Sequence, residues 1–379
     1  MTKTRIYLDW NATAPLRPEA RAAMAAAWDQ FGNPSSIHEE GRAARRLVEE
    51  ARAAVAAAVG ADPANVVFTS GGTEANALAL SPQIGGLPPF VRLITSAIEH
   101  PSVLAGGRFA AHQISHLEVN GDGIVDLDDL RRKLADGPPA LVSVMLANNE
   151  TGALQPIAEV AALVHAQGAL LHVDAVQALS RMAFTINGLG ADLVTVSAHK
   201  IGGPKGVGAL IARNGSVMPA ALMTGGGQER GRRAGTENVP GIVGFGAAIA
   251  AAMAAAPVEI SHMLRLRRLL EAGLKVSADV AVFSENAERL PNTTLVGAPG
   301  LRAETTVIGF DLAGVAVSSG AACSSGKVSA SHVLAAMGVA PPLAEGAIRL
   351  SLGWSTSESE IHGALEAWRK LASVLGRRG

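Results

Sequence analysis

Residues 193–206 read Leu-Val-Thr-Val-Ser-Ala-His-Lys-Ile-Gly-Gly-Pro-Lys-Gly, a short apolar run that is followed at once by polar residues and glycine. The apolar part, Leu193–Ser197, has the length and composition of a buried β-strand. Comparable apolar runs lie at residues 66–69, 91–96, 141–146 and 170–173. Alanine-rich helical stretches lie between or before them, at residues 19–28, 41–59 and 157–165. This alternation predicts an α/β fold with βα units around a mostly parallel central sheet, whose ligands bind at the carboxyl ends of the strands.

The pattern of predicted secondary structure changes after residue 256. Pro257 is expected to end the alanine-rich helix before it, and a second helix is expected to begin at about Glu259. Short strands are predicted within residues 305–312, and a last helix from about Ser357 to Leu375. We therefore predict a domain boundary near residue 256.

Composition and charge exclude several classes of protein. The 379 residues are 48% hydrophobic and 17% charged, which is ample for a large core and argues against disorder. The net charge of -1 makes nucleic acid and anionic membranes poor partners. Residues 1–9 contain no apolar signal core, and the apolar stretch 242–256 is too short to span a bilayer, which needs roughly 20 residues. These features predict a cytoplasmic protein that binds neither nucleic acid nor membrane.

Glycine and polar residues follow the first strand of the predicted sheet. The segment Thr69-Ser70-Gly71-Gly72-Thr73-Glu74-Ala75-Asn76 opens a helical run. Gly71 and Gly72 permit a tight backbone, and Thr73 could cap the helix, whose free N–H groups could hold a phosphate. The segment lacks the Gly-Lys-Ser/Thr ending of a P-loop. On its own, this segment is more typical of an ordinary capped βα turn than of a phosphate-binding site.

Asp174 and Lys200 stand at equivalent strand ends. Asp174 follows the run 170–173, and Lys200 follows Leu193–Ser197. One interpretation is a structural ion pair between them. The other is that Lys200 forms a Schiff base with pyridoxal phosphate while Asp174 pairs with the protonated pyridine nitrogen and the Thr73 loop holds the phosphate.

Three more polar residues follow strand-like runs. His100 could stack on the cofactor ring and move protons. Asn149 and Gln177 could donate hydrogen bonds to the phenolic oxygen of the cofactor. Each of the three could equally be a structural turn or cap residue.

Cys323 is the only cysteine, which excludes an intrachain disulfide and metal sites built from several thiolates. It lies in Ser318-Ser319-Gly320-Ala321-Ala322-Cys323-Ser324-Ser325-Gly326, a run of small and polar residues. A lone cysteine often packs as a small hydrophobic residue. A Ser/Gly-rich run, however, is typical of a loop, where a thiol is accessible as a nucleophile.

Taken together, these segments resemble the class V aminotransferase-fold enzymes, and the Cys323 segment resembles that of the cysteine desulfurases of the NifS/IscS type. The resemblance covers nearly the whole chain. The segments that carry it are residues 7–15, 31–36, 66–76, 98–102, 148–152, 172–177, 197–206, 225–231, 233–236, 318–326 and 347–353.

The resemblance implies a fold type I pyridoxal phosphate enzyme. Its large domain would comprise residues 16–256, and its smaller α+β domain residues 1–15 and 257–379. The implied cofactor-binding residues are Lys200, Asp174, His100, Gly72, Thr73, Ser197, His199, Gln177 and Asn149, together with Thr236 from the partner subunit of a homodimer. Arg349, with help from Asn33, would bind the carboxylate of the substrate. No metal is implied.

The implied reaction removes sulfur from L-cysteine, with Lys200 as the base, and produces L-alanine and a persulfide on Cys323. His100 or the substrate itself could take the thiol proton. A sulfur-acceptor protein, such as an iron–sulfur scaffold, would receive the sulfur. A selenocysteine lyase or an aminotransferase on the same fold is an alternative, although an aminotransferase would leave Cys323 without a role. A protein that keeps the fold only to dock partners would not need Lys200, Asp174 and Arg349 together.

Overall fold

The structure is a computed structural model that describes residues 5–276, 280–319 and 331–375. Within these residues the strands are β1 (Ile6–Tyr7), β2 (Val66–Thr69), β3 (Leu93–Ser96), β4 (Ile114–Leu117), β5 (Leu141–Ser143), β6 (Leu170–Asp174), β7 (Leu193–Ser197), β8 (Gly208–Ala212), β9 (Ala281–Val282), β10 (Thr293–Gly297), β11 (Val315–Ala316) and β12 (Ile348–Ser351). The helices are α1 (Pro18–Trp28), α2 (Glu39–Val59), α3 (Gly72–Ala79), α4 (Pro101–Leu104), α5 (Leu127–Ala135), α6 (Ile157–Ala166), α7 (Ile186–Leu189), α8 (Val239–Lys275), α9 (Ala303–Leu312), α10 (His332–Ala336), α11 (Pro341–Ala344) and α12 (Glu358–Leu375).

The central sheet has seven strands in the order β2-β8-β7-β6-β5-β3-β4. Strand β8 runs antiparallel to both of its neighbours, and the remaining pairs are parallel. The expectation of an α/β fold with a mostly parallel sheet is therefore confirmed. The carboxyl ends of β2, β3, β5, β6 and β7 consequently meet at one edge of the sheet.

Both faces of this sheet are buried, which explains why its strands have no polar alternation. In β7, Leu193 packs into the core on one face, and Val194 packs into the core on the other. Leu170 and Leu171 of β6 divide in the same way. Helices therefore cover the sheet on both sides, as expected of a three-layer α/β arrangement.

A second core lies around two smaller sheets. One sheet has the order β12-β10-β9 and the other pairs β1 with β11. Leu8, near the N-terminus, packs into this core together with residues from 266 to 368, among them the fully buried Trp368. The first residues of the chain are thus joined to its last third by hydrophobic burial. The division into residues 16–256 and the remainder stays a prediction.

The expected end of the helix at Pro257 is wrong. Helix α8 continues from Val239 to Lys275 with Pro257 inside it. Its first half packs into the core of the central sheet through residues such as Phe245, and its second half into the other core through Leu266 and Leu270. A proline inside a helix removes one hydrogen bond, and burial of both halves compensates for that loss.

The length of α8 contradicts the expectation that this apolar stretch is too short to span a bilayer. By length and composition, this helix is sufficient to cross a membrane, whereas the stretch 242–256 alone is too short. A core helix of a soluble protein passes the same test, and half of the most apolar window of α8 is buried inside the protein. Its burial gives α8 a structural role in joining the two cores.

The prediction of strands within residues 305–312 is also wrong, because this segment is helix α9. Thr305, Thr306, Val307 and Ile308 are β-branched and favour strands locally. The buried residues of α9 are Ala303, Thr306 and Phe310, which recur at helical spacing. Phe310 stacks on Trp368 of α12 with ring centroids 6.3 Å apart, so tertiary packing outweighs the local preference.

We predict that Phe245→Ala lowers the free energy of unfolding by about 3–5 kcal/mol, because it empties a fully buried site on α8. Val258→Ala on the same helix is the matched control, because Val258 is 76% exposed and its loss should cost about 0.5 kcal/mol or less. Denaturant unfolding monitored by circular dichroism measures both changes. Equal effects of the two substitutions would show that α8 is not the core helix described.

Candidate active site

A cavity of about 190 Å³ opens at the carboxyl ends of the central strands. The residues around it come from the segments that follow β2, β3, β5, β6 and β7, as expected for an α/β sheet. They are Gly72, Thr73, Asn76, His100, Ser102, Met145, Ala147, Asn149, Asp174, Val176, Gln177, Ser197, His199 and Lys200. Nine of the predicted site residues are therefore brought together.

Lys200 lies just beyond β7, with its amine turned towards the N-terminal segment. Its Nζ donates to the carbonyl oxygens of Asn11 and Ala12, the latter at 2.9 Å. Burial, assisted by the positive charges of Arg349 and Arg181, lowers the pKa of Lys200 to about 7. A substantial fraction of the amine is therefore uncharged at neutral pH and able to react as a nucleophile or base.

Asp174, the last residue of β6, is buried at the centre of the cavity edge. Its Oδ2 accepts a hydrogen bond of 2.8 Å from Asn76 Nδ2, and its Oδ1 accepts one of 2.9 Å from the backbone N–H of Val176. Acceptance at both oxygens fits a carboxylate rather than a carboxylic acid. Of the two interpretations, the structural ion pair is wrong, because the described contacts of Asp174 and Lys200 are with other groups.

His100 is the N-cap residue of the short helix α4. Its Nδ1 accepts a hydrogen bond of 3.1 Å from the backbone N–H of Ser102 and lies 2.8 Å from the Ser102 hydroxyl. Burial lowers the pKa of His100, the charge of Asp174 opposes this, and Lys200 and His332 lower the pKa further. The side chain is therefore neutral at physiological pH.

The first residues of α3 line an open depression next to the cavity. The N-cap residue is Gly71 and not Thr73, which lies in the first helical turn, so the expected cap is wrong. A Cβ on Gly72 would lie 3.1 Å from Val176, which leaves little room for a larger residue. The Ser197 hydroxyl is buried here and has no hydrogen-bond partner in the described part of the chain. An adjoining open cavity of about 460 Å³ contacts Thr73, Ser197 and Lys205.

Arg349 approaches from β12 and is buried. Its Nη2 donates to Asp9 Oδ1 at 2.7 Å, and its Nη1 donates to the carbonyl oxygen of Asn149 at 2.9 Å. The third nitrogen, Nε, is buried and its hydrogen is unpaired among the residues described. Arg349 therefore keeps N–H donors, among them that of Nε, for a further acceptor such as a carboxylate.

Three other predicted residues line the cavity and form hydrogen bonds within the chain. Gln177 Nε2 donates to the carbonyl oxygen of Asn11 at 3.1 Å. His199 Nδ1 lies 3.2 Å from the Thr13 hydroxyl, and burial, with nearby Lys200, lowers the pKa of His199 to about 4. Asn149 lines the cavity, and its carbonyl oxygen accepts from Arg349.

Three predicted residues are not among those that line this cavity, namely Arg349, Thr236 and Asn33. Thr236 is exposed and lines a separate depression beside Glu229 and Arg233. Asn33 is exposed, and its side-chain oxygen accepts from the backbone N–H of Ser35. Cys323 lies outside the described residues.

The sequence analysis missed several residues that organise the site. Asn11 accepts from Lys200, Gln177 and Arg181, and the buried Arg181 also donates to the Lys200 carbonyl oxygen at 3.3 Å. Glu99 is buried beside His100, and burial raises its pKa to about 8. Only the position of Asn11 within the resembling segment 7–15 could have indicated a role.

These residues fit pyridoxal phosphate. The uncharged amine of Lys200 suits a bond to an aldehyde, and the buried carboxylate of Asp174 suits a protonated pyridine nitrogen. The unpaired Ser197 hydroxyl and the first N–H groups of α3 suit a phosphate. The unsatisfied hydroxyl is the observation that most directly indicates a missing acceptor, because buried polar groups are normally hydrogen-bonded.

Comparisons with known proteins agree with this geometry. Residues 6–363 match the family described as aminotransferase class-V. The cysteine desulfurase of Trichormus azollae is 42% identical over 98% of this chain and 93% of its own length. The cysteine desulfurase IscS of Dictyoglomus turgidum is 40% identical over 98% and 96% of the two chains. The X-ray structure of a NifS-like protein from Rickettsia africae superposes with a TM-score of 0.89 and 37% identity, covering 97% of this chain and 99% of the other.

We predict that an aldehyde reacts with Lys200 half-maximally near pH 7, because deprotonation of the amine above its lowered pKa produces the reactive form. Borohydride trapping followed by peptide mass spectrometry measures the reaction between pH 5 and pH 10. Arg181→Met should move the midpoint to higher pH, because it removes a cation that disfavours the charged amine, whereas Arg181→Lys should keep it near the original value. A midpoint at about 10.4 in the unmodified protein, the ordinary value for lysine, would contradict the description.

Proposed function

We propose a mechanism for this chain on the premise that it belongs to the class-V aminotransferase family and is a cysteine desulfurase. Full-length similarity to named desulfurases supports that premise. The observation that carries the mechanism is the cavity in which the amine of Lys200, with its lowered pKa, lies with the carboxylate of Asp174.

Pyridoxal phosphate is the proposed cofactor, held by residues that surround the cavity. Lys200 would bind its aldehyde carbon and Asp174 its ring nitrogen, while His100 would lie against the ring. The phosphate would take hydrogen bonds from Ser197, His199 and the start of α3 at Gly72 and Thr73. When bound, the cofactor supplies the electron sink that allows a proton to leave the α-carbon of an amino acid.

Arg349 would bind the carboxylate of the substrate L-cysteine, and Lys200 would accept a proton from it. Arg349 offers its buried, unpaired Nε, and its guanidinium is already oriented by Asp9 and Asn149. A carboxylate bound there would place the amino group of the substrate towards Lys200. Lys200 Nζ can accept a proton at neutral pH, because burial and two neighbouring arginines disfavour its charged form.

Cys323 is the proposed sulfur carrier. Its thiol takes the sulfur atom of L-cysteine as a persulfide while the remainder leaves as L-alanine, and the hydrogen atoms balance between the two products. The described residues on either side of residues 320–330 contact the site. Ser318 pairs with Arg349 through backbone hydrogen bonds, and Ser331 donates to Glu150, the residue after Asn149, at 2.6 Å.

The persulfide requires an acceptor outside this chain. Because the chain has one cysteine, no second thiol of the same chain can resolve the persulfide. We therefore propose transfer to a thiol of another protein, such as a scaffold for iron–sulfur cluster assembly. A free thiol that cycles through a persulfide suits a reducing compartment, which supports a cytoplasmic location.

A homodimer is the proposed working unit. Trp28, Phe31 and Ile37, on and after α1, are 69%, 86% and 90% exposed, which is unusual for large apolar side chains so close together. Asn33 lies among them, and Thr236 is also exposed and lies away from the cavity of its own chain. A second copy that covers this region would bury the apolar residues and could bring Thr236 to the phosphate site.

We predict that Cys323→Ala binds pyridoxal phosphate normally but releases no sulfide from L-cysteine in the presence of a reductant. The physical reason is that the variant keeps every described group of the cavity and lacks the only thiol of the chain. Sulfide and alanine are measured together, with Ser325→Ala as the control and L-selenocysteine as a competing substrate. Sulfide release at the normal rate would exclude Cys323 as the carrier.

A mixed dimer tests the proposed contribution of Thr236 from the partner subunit. Thr236→Asp should inactivate the homodimer, because a carboxylate repels the phosphate, and Lys200→Ala should inactivate it by removing the amine. If Thr236 acts across the interface, a dimer of one Thr236→Asp chain and one Lys200→Ala chain keeps one intact site and about half of the normal activity. Purification with two affinity tags isolates this dimer, and its inactivity would place Thr236 in the site of its own chain.

A further inference from the structure

The two donors of Ser102 determine which nitrogen of His100 carries the proton. The backbone N–H of Ser102 points at His100 Nδ1 from 3.1 Å. A backbone N–H can only donate, so Nδ1 must be the acceptor of this bond. The proton of a neutral imidazole then resides on Nε2.

The Ser102 hydroxyl contacts both His100 Nδ1 and the side chain of Asn76. Asn76 Nδ2 donates to Asp174 Oδ2 at 2.8 Å and to Ser102 Oγ at 2.9 Å. The carboxylate of Asp174 requires the NH₂ group of Asn76 to face it, and the second hydrogen of that group is directed to Ser102. Ser102 Oγ accepts from Asn76, and because Nδ1 carries no proton, the hydroxyl donates its own hydrogen to His100 Nδ1, 2.8 Å away.

We propose that Ser102 is a positioning residue that holds His100 in the tautomer with its proton on Nε2. His100 then offers the cavity a hydrogen-bond donor and no basic nitrogen. The alternative tautomer would set Nδ1–H against the backbone N–H of Ser102. This inference rests on the proposed function in that it assigns His100 to the active site, and it removes His100 as the group that takes a thiol proton.

The charges around His100 are consistent with this assignment. Asp174 favours protonation, whereas Lys200 and His332 disfavour it, and burial is the largest effect and lowers the pKa of the ring. Protonation would also turn the Nδ1 acceptor into a donor and break the cap of α4. Lys200 therefore remains as the basic group that the cavity offers at neutral pH.

Nitrogen NMR of the full-length protein with ¹⁵N-labelled histidine tests the proposal directly, with and without pyridoxal phosphate. The chain has 10 histidines, and the signals lost in His100→Gln identify the ring of interest. We expect an unprotonated Nδ1 and a protonated Nε2 between pH 7 and pH 8, where an imidazole with a lowered pKa is neutral. A protonated Nδ1, or an even mixture of tautomers, in the unmodified protein overturns the proposal without affecting the roles of Lys200 and Cys323.

Ser102→Ala and Ser102→Thr form a matched pair. Threonine keeps the hydroxyl and should leave the tautomer unchanged. Alanine removes one of the two donors, so the population of the minor tautomer should rise about fivefold, the effect of one ordinary hydrogen bond. Identical spectra for the two variants would show that the Ser102 hydroxyl does not position His100.

Discussion

The site depends on the hydrogen bonds of one buried residue, Asn11. Its carbonyl oxygen accepts from Lys200 and Gln177 at the strand ends of the central sheet. Its side-chain oxygen accepts from Arg181, and its Nδ2 donates to the Asn149 carbonyl oxygen and the Thr293 hydroxyl. Asn11 therefore joins the central sheet to the smaller sheet that contains Thr293. Without Asn11 each of these groups would lose a hydrogen bond in a buried site, which is costly, and Gln177 Nε2 would lose the one described here. The N-terminal segment is consequently part of the active site, although it lies almost 190 residues from Lys200 in sequence.

The electrostatic consequence of this arrangement is an excess of buried positive charge. Lys200 lies near Arg181 and Arg349, and burial lowers the pKa of Arg181 to about 9 as well. Asp9 neutralises Arg349, and Asp174 is held by amide donors instead of by Lys200. The cation that can lose its charge most readily is Lys200, because a lysine amine releases a proton far more readily than a guanidinium does. An uncharged amine therefore follows first from the burial of Lys200 itself and then from the nearby positive charges of Arg349 and Arg181.

The sequence predicts the strand ends well and the connections between distant segments poorly. The strands before His100, Asp174 and Lys200 are continuous apolar segments, as Leu193–Ser197 illustrates. Local composition is therefore sufficient to locate these strands and the polar residues at their carboxyl ends. Helix α9 contradicts its β-branched composition because Phe310 packs on Trp368, a contact between residues 58 positions apart that no local pattern contains. Pro257 stays within α8 for a similar reason, since two separate cores bury the two halves. Asn11, Arg181 and Glu99 are buried polar residues, whose roles depend on partners brought together only by the complete fold.

A single turnover with ³⁴S-labelled L-cysteine tests the central claim, that the cavity around Lys200 delivers sulfur to Cys323. The protein, loaded with pyridoxal phosphate, is mixed with one equivalent of labelled substrate without reductant, alkylated, digested and analysed by mass spectrometry together with free alanine. We expect one labelled sulfur atom on the peptide that contains Cys323 and an equal amount of alanine. Alanine without label on that peptide, or labelled sulfide released while Cys323 stays a free thiol, would contradict the account.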